Sequence, residues 1–135
     1  MERSREVADA LVRFYEAFGI AEAFDSVVSA DPDAMVIGTD RRVDNRNAWK
    51  AAFGSMAGIT VERGEIRGFR HEGVGWIVDD PTFVLPDGRS LRTRLTAVAR
   101  EEADGWKLVQ LHISVAVPDE VALAEAAGWE TATPA

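Results

Sequence analysis

An α+β fold is the expectation from this sequence. Helical periodicity fills its first half, strand-like alternation fills its second, and two Asp-Gly pairs stand where hairpins would join the strands. The strand-like half runs almost unbroken from Gly73 to Val117 as GWIVDDPTFVLPDG, RSLRTRLTAVAREEADG and WKLVQLHISVAVP, with Asp87-Gly88 and Asp104-Gly105 as the turn signals. Helices followed by strands indicate α+β, because βαβ units would alternate the two.

The first helix is the clearest element. Val7, Leu11, Tyr15 and Phe18 recur near the helical period, Ala8 and Val12 widen the stripe, and Gly19 is placed to end it. Ser4 is the expected N-cap, with Glu6 favourable in the first turn. A second, shorter helix is expected over Ala21 to Val28, stopping before Asp31-Pro32, and Met35-Val36-Ile37 then reads as a short strand that Gly38 stops. A third helix is expected from Asn45, with Trp49, Ala52, Phe53 and Met56 on one face and Gly58 at its end. Ile59 to His71 is strand-like but interrupted by Gly64 and Gly68. The pattern places one domain over residues 1–120 and a short helix with a frayed tail over 121–135.

A chain of 135 residues with 47% apolar content, four Trp and six Phe can bury a substantial core, which argues against disorder. The absence of cysteine removes disulfides, thiolate catalysis and Cys-ligated metal. His71 and His112, the only two histidines, lie far apart in sequence without an H-x-x-x-H spacing, so no metal site is expected. No Gly-rich phosphate loop follows a strand, and no cofactor is implied. A net charge of −8 with scattered basic residues argues against nucleic acid. No apolar run is long enough to span a bilayer, and MERSREVADALVRFYEAF lacks the layout of a secretory leader, so a cytoplasmic location without membrane contact is expected.

Unbroken alternation in the last strand would put Trp106, Leu108, Gln110, His112 and Ser114 on one face, and Lys107, Val109, Leu111, Ile113 and Val115 on the other. The first face turns from apolar to polar along its length, and the second is almost wholly apolar. Helices 1 to 3 would then cover one face of a curved sheet and enclose a conical cavity with His112 and Ser114 at its polar end. The other face would need a second cover, and a homodimer formed sheet to sheet is the simplest one.

RFYEAF, AMVIGTD, NAWKAAF, GWIVDD, RLTAVARE and GWKLVQLHISVAVP, in that order over roughly residues 5–120, resemble the SnoaL-like branch of the nuclear transport factor 2 superfamily, which contains ketosteroid isomerases. The resemblance implies a cone-shaped, cystatin-like fold: a curved antiparallel sheet packed against three N-terminal helices. It implies no single activity, since similar proteins include isomerases, cyclases, hydrolases and association domains. Ketosteroid isomerases place an oxyanion-binding Tyr in the first helix, where this chain has Tyr15. Their carboxylate base falls on or near Gly38, with Asp40 two residues later serving only if the loop turns back. Their second oxyanion donor falls where this chain reads Leu95, Thr96, Ala97, so steroid isomerisation itself is not implied.

Each candidate site residue has a plainer reading beside the functional one. His112 is a base or a ligand anchor, or a buried histidine satisfied by its neighbours. Tyr15 is a donor into the cavity, or a packed ring with its hydroxyl satisfied. Asp40 is a catalytic carboxylate at the cavity mouth, or a turn cap. Ser114 shares the His112 face. Arg94, set among apolar neighbours, requires a carboxylate from Asp79 or Asp80 or from a ligand. Trp49, Phe53 and Trp76 are core and, together, a wall suited to an apolar ligand. The leading function is a SnoaL-like pocket protein that binds a small, largely apolar organic molecule, with cofactor-free isomerisation, cyclisation or dehydration as its chemistry if catalytic. The alternative is a non-catalytic ligand-sensing or association module of the same fold.

Overall fold

The computed structural model describes residues 2–132, with side chains through Glu125. Helix α1 (Arg5–Ala17) begins at Ser4, whose Oγ accepts the Val7 N–H at 3.2 Å, and it buries Val7, Leu11, Phe14 and Tyr15 among others. At Gly19 the chain turns back with φ +78°, and a Cβ there would meet the Met56 carbonyl oxygen at 2.6 Å. The expected second helix is divided: a 3-10 turn at Ala21–Ala23 leads into one turn of helix, α2 (Phe24–Val27). Helix α3 (Arg46–Gly54) starts at Asn45, whose Oδ1 accepts the Ala48 N–H at 2.9 Å, and it buries Trp49 and Phe53. Helix α4 (Asp119–Ala132) follows Pro118, and the frayed tail expected after it falls outside the described residues. Among the described residues no helix is long and apolar enough to cross a membrane.

The strands form two sheets. The larger contains β1 (Glu2–Arg3), β5 (Arg67–His71), β6 (Val74–Asp79), β9 (Arg94–Glu102), β10 (Gly105–Ser114), β2 (Met35–Ile37) and β3 (Arg42–Val43), in that spatial order. The smaller contains β4 (Thr60–Glu62), β7 (Thr82–Val84) and β8 (Ser90–Arg92). Two expectations are corrected here. The large sheet is mixed, not purely antiparallel, because β2 runs parallel to β10. No hairpin joins those two strands, so nothing local forces them to oppose. The long strands anticipated from Gly73 to Glu102 also break, at Asp80-Pro81 and at Thr93. Pro81 has no N–H for a ladder, and its carbonyl accepts both the Thr93 N–H at 3.0 Å and the Thr93 hydroxyl at 2.8 Å. The hairpin β7–β8 is thereby bent out of the large sheet to pair with β4.

A third correction concerns β10. Leu108 pairs with Ala99, but the next pair is Gln110 with Val98, so Val109 is an extra residue, a β-bulge. Before the bulge, Trp106 and Leu108 face the helices. After it, Leu111 opposite Ala97 and Ile113 opposite Leu95 take that inner face. His112, opposite Thr96, and Ser114, opposite Arg94, turn to the outer face. A one-residue slip in a period of two exchanges the faces, and unbroken alternation therefore assigned these four C-terminal positions the wrong way round.

The helices are tied to the sheet by polar links as well as by the core. Arg100 on β9 donates to Ser29, Asp31 and Glu102. The Ser29 hydroxyl, followed by the Arg100 guanidinium, holds the Glu102 carboxyl below the usual carboxylate range, against the opposing effect of partial burial. Arg46 at the start of α3 donates to the Ser29 carbonyl at 2.6 Å and lies 5.1 Å from the Phe24 ring centre.

The bulge makes opposite predictions for adjacent residues. Leu111→Ala, which deletes a side chain only 1% exposed, is expected to lower unfolding stability in urea by about 2–5 kcal/mol. His112→Ala is expected to change it by no more than about 0.5 kcal/mol. A larger loss at His112 than at Leu111 would contradict the bulged register.

Candidate functional site

A cavity of about 310 Å³ lies between the inner face of the large sheet, helices α1 and α3, and the small sheet. Its wall is aromatic. Phe14, Phe18, Trp49, Phe53 and Phe83 interlock at centroid distances of 5.5–6.1 Å, as in Phe14–Phe53 at 5.6 Å, Phe18–Phe83 at 5.5 Å and Phe14–Trp49 at 6.1 Å. Val36 from β2 and Leu111 and Ile113 from β10 complete the sheet side. The bulge is what delivers the last two.

The polar groups gather at one place. The β2–β3 hairpin closes with the Gly38 N–H donating to the Arg41 carbonyl at 2.8 Å, so the loop does turn back. Thr39, Asp40 and Arg41 at its tip are exposed and line the cavity mouth. Thr93 is a further polar lining residue, 5% exposed, with its hydroxyl donated to Pro81. Met56 and Leu91, both more than a third exposed, add an apolar rim. A ligand in this space meets ring faces and aliphatic carbons inside, and a carboxylate and a guanidinium where it reaches solvent.

The structure brings three of the anticipated residues to this cavity: Asp40, Trp49 and Phe53. The others lie elsewhere. His112 is exposed on the outer sheet face and Ser114 shares that face, so neither borders the cavity. Arg94, expected to be buried against a carboxylate, is exposed on the same outer face; among the described residues it has no ion-pair partner. Trp76 is likewise outside, stacked on Phe69 with centroids 5.9 Å apart.

Tyr15 points into the core beside the small sheet, and its hydroxyl donates to Asp79 Oδ2 at 2.7 Å. Asp79 is 2% exposed and also accepts the Gly64 N–H, at 3.0 Å and 3.3 Å to its two oxygens. Burial, followed by the hydrogen bond to Asp79 and the negative charges of Asp79 and Asp80, pushes the Tyr15 hydroxyl far above its usual range. Its proton is committed to Asp79, which suits anchoring and not donation to a ligand. His112 and Tyr15 thus do not share a cavity, and an acid–base pair between them is excluded. The residues missed from sequence were Thr39, Arg41 and Thr93 at the polar positions, Phe14, Phe18, Val36, Phe83, Leu111 and Ile113 on the wall, and Asp79 as the partner of Tyr15. Among the described residues no group of three or more His, Asp or Glu side chains could hold a metal ion.

A curved sheet wrapped around three helices with an apolar cavity between them defines a cystatin-like, nuclear transport factor 2-like protein. The SnoaL-like domain matches residues 7–118, and the chain belongs to that family. Among solved structures, a putative dehydratase of the nuclear transport factor 2-like family from Streptomyces avermitilis is similar at TM-score 0.73 and 18% identity, over 84% of this chain and 95% of that one. An uncharacterised protein with a cystatin-like fold from Caulobacter vibrioides is similar at TM-score 0.67 and 19% identity, over 87% and 92%. A putative calcium/calmodulin-dependent protein kinase type II association domain from Thiobacillus denitrificans is similar at TM-score 0.63 and 26% identity, over 80% and 93%. Among curated proteins none matches.

Tyr15 is the only tyrosine in the chain, so tyrosinate absorbance reports it alone. Because its folded pKa is raised, the stability it contributes is complete below about pH 10, the unfolded value, and is lost as pH rises beyond it. In an alkaline titration, tyrosinate absorbance is expected only together with the loss of far-ultraviolet circular dichroism. Ionisation near its ordinary value in a folded protein would contradict the buried Tyr15–Asp79 bond.

Proposed function

We propose that this SnoaL-like protein binds a small, largely apolar organic molecule in the aromatic cavity, with the polar end of the molecule at Thr39, Asp40 and Arg41. The observation that carries this reading is the composition of the cavity: ring faces and aliphatic side chains inside, with a carboxylate and a guanidinium at the mouth. Five aromatic side chains favour a planar or polycyclic ligand, which ring faces contact over a large area at little entropic cost.

Asp40 is the acid–base group of this reading. Among the described residues it is the one carboxylate lining the cavity, and it stands on a hairpin tip within reach of a bound molecule while remaining in contact with water. Proton abstraction by Asp40, with the Arg41 guanidinium steadying the negative charge that develops, is the cofactor-free isomerisation, cyclisation or dehydration such a site would perform. The likeness to the putative dehydratase supports this class of chemistry and no particular substrate. With His112 on the outer face, the role of base rests on Asp40.

A specific observation favours a second property, self-association. The outer face of the large sheet carries Phe69, Trp76, Val98, Gln110 and Met35 in one cross-strand row, all half-buried, and among the described residues no helix packs over them. We propose that a second copy covers this face, in keeping with the likeness to a putative association domain. The interface would then comprise these residues and not Leu111 and Ile113, which the bulge sends to the cavity.

The two readings separate experimentally. Ile113→Trp and Ala52→Phe, which fill the cavity from opposite walls, are expected to weaken binding of 1-aminoanthracene by roughly tenfold or more, read by its fluorescence. Undiminished binding by both variants would overturn the cavity assignment. Val98→Glu on the outer face is expected to leave dye binding unchanged and to yield a monomer in sedimentation velocity. An unchanged sedimentation coefficient relative to the parent would overturn the sheet-to-sheet dimer.

A further inference from the structure

A second concave site lies away from the cavity and shares no residue with it. It is a groove of about 510 Å³ between the start of α1 and the turn that joins β4 to β5. Arg3 and Arg5 stand on one side and Arg63 and Arg67 on the other, with Asp9 the one carboxylate in the lining among the described residues. The chain as a whole carries a charge of −8, so four arginines in the lining of one groove run against its average. Among the described residues, none of the four lies within ion-pairing distance of a carboxylate.

The walls of the groove are held by main-chain contacts. The Ser4 N–H donates to the Gly68 carbonyl at 2.9 Å, joining the segment before α1 to β5. A Cβ on Gly68 would come within 2.6 Å of both the Ser4 oxygen and the Ala8 nitrogen, so the close approach of the two walls requires glycine there. On the far side, the Gly64 N–H is bound by the buried Asp79 carboxylate, which itself is anchored by Tyr15. This fixes the backbone from which Arg63 springs and gives the Tyr15–Asp79 pair a consequence outside the core. Arg3 stands at the outer-face edge of the groove, with its guanidinium 5.5 Å from the Phe69 ring centre, an arrangement that leaves its N–H edges for another partner.

We infer that this groove is a binding site for a small multivalent oxyanion, a diphosphate or polycarboxylate, held by the forked guanidinium groups of Arg3, Arg5, Arg63 and Arg67. Planar guanidinium forks pair with phosphate or carboxylate oxygens two at a time, and several of them around one groove match a ligand with more than one anionic group. The groove exceeds what one orthophosphate fills, which favours a ligand with linked anionic groups. The negative charge of the rest of the chain opposes anions at long range, so the attraction is short-ranged and falls steeply with salt.

Calorimetric titration of the full chain with pyrophosphate, citrate and sulfate at matched ionic strength tests this. Pyrophosphate or citrate is expected to bind saturably and sulfate much more weakly. The Arg63→Ala/Arg67→Ala double variant, at exposed positions, is expected to bind roughly tenfold more weakly or worse, with its melting temperature and 1-aminoanthracene binding unchanged. Binding of pyrophosphate alone would identify a phosphate ligand, and binding of both would identify charge and spacing as the requirement; either supports the site. No saturable binding, or equal binding by the parent and the double variant, would overturn it.

Discussion

Val109 and Gln110 together face Val98, and the phase of β10 changes at that point. Side chains along a strand alternate with a period of two, so one surplus residue reassigns every position after it. Here the reassignment gives Leu111 and Ile113 to the cavity and His112 and Ser114 to the outer face. The apolar character of the cavity wall, the removal of a histidine from it and the composition of the exposed sheet face all depend on that residue. Without it the cavity would meet an imidazole and a hydroxyl, and the outer face would present two aliphatic side chains.

The rest of the site is built around this wall. Helix α3 contributes Trp49 and Phe53 because Asn45 caps it and Arg46 ties it to Ser29 and Phe24. The break at Pro81 and Thr93 swings the small sheet round so that Phe83 closes on Phe18. The aromatic cluster is thus assembled from three separate parts of the chain, each fixed by its own local bonds. Tyr15, on the same helix as Phe14, instead satisfies Asp79, a carboxylate that would otherwise be buried with only the Gly64 N–H as a donor. This division leaves the carboxylate and the guanidinium of the cavity at the solvent-facing hairpin, where Asp40 and Arg41 stand.

Much of this arrangement was legible in the residues. The α1 and α3 caps at Ser4 and Asn45, the turns at Gly88 and Gly105 and the order of elements follow from local patterns with direct physical causes. The placement of Trp49, Phe53 and Asp40 along the cavity was readable because helix periodicity and position after a short strand are both local signals. The face of His112 was misread although its signal was present: apolar residues fall on Trp106 and Leu108, then on Leu111 and Ile113, and the interval of three between Leu108 and Leu111 marks a change of phase. Reading a gradual polar drift there missed the bulge. The partner of Tyr15 was less accessible, because 64 residues separate it from Asp79 and nothing local to either predicts the contact. The parallel β2 and the strand break at Thr93 are likewise tertiary outcomes, since only the Pro81 half of that break is written locally.

The proposed occupancy of the cavity beneath α3 by an apolar ligand, against the inner face of β10, carries the functional reading. It is tested most directly by methyl-resolved nuclear magnetic resonance of the isotopically labelled protein titrated with 1-aminoanthracene. The Val36, Leu111 and Ile113 methyl signals are expected to shift together and saturate, while Val78 and Val98 on the outer face stay in place. Shifts confined to Val78 and Val98, or no saturable shift at Leu111 and Ile113, would contradict it.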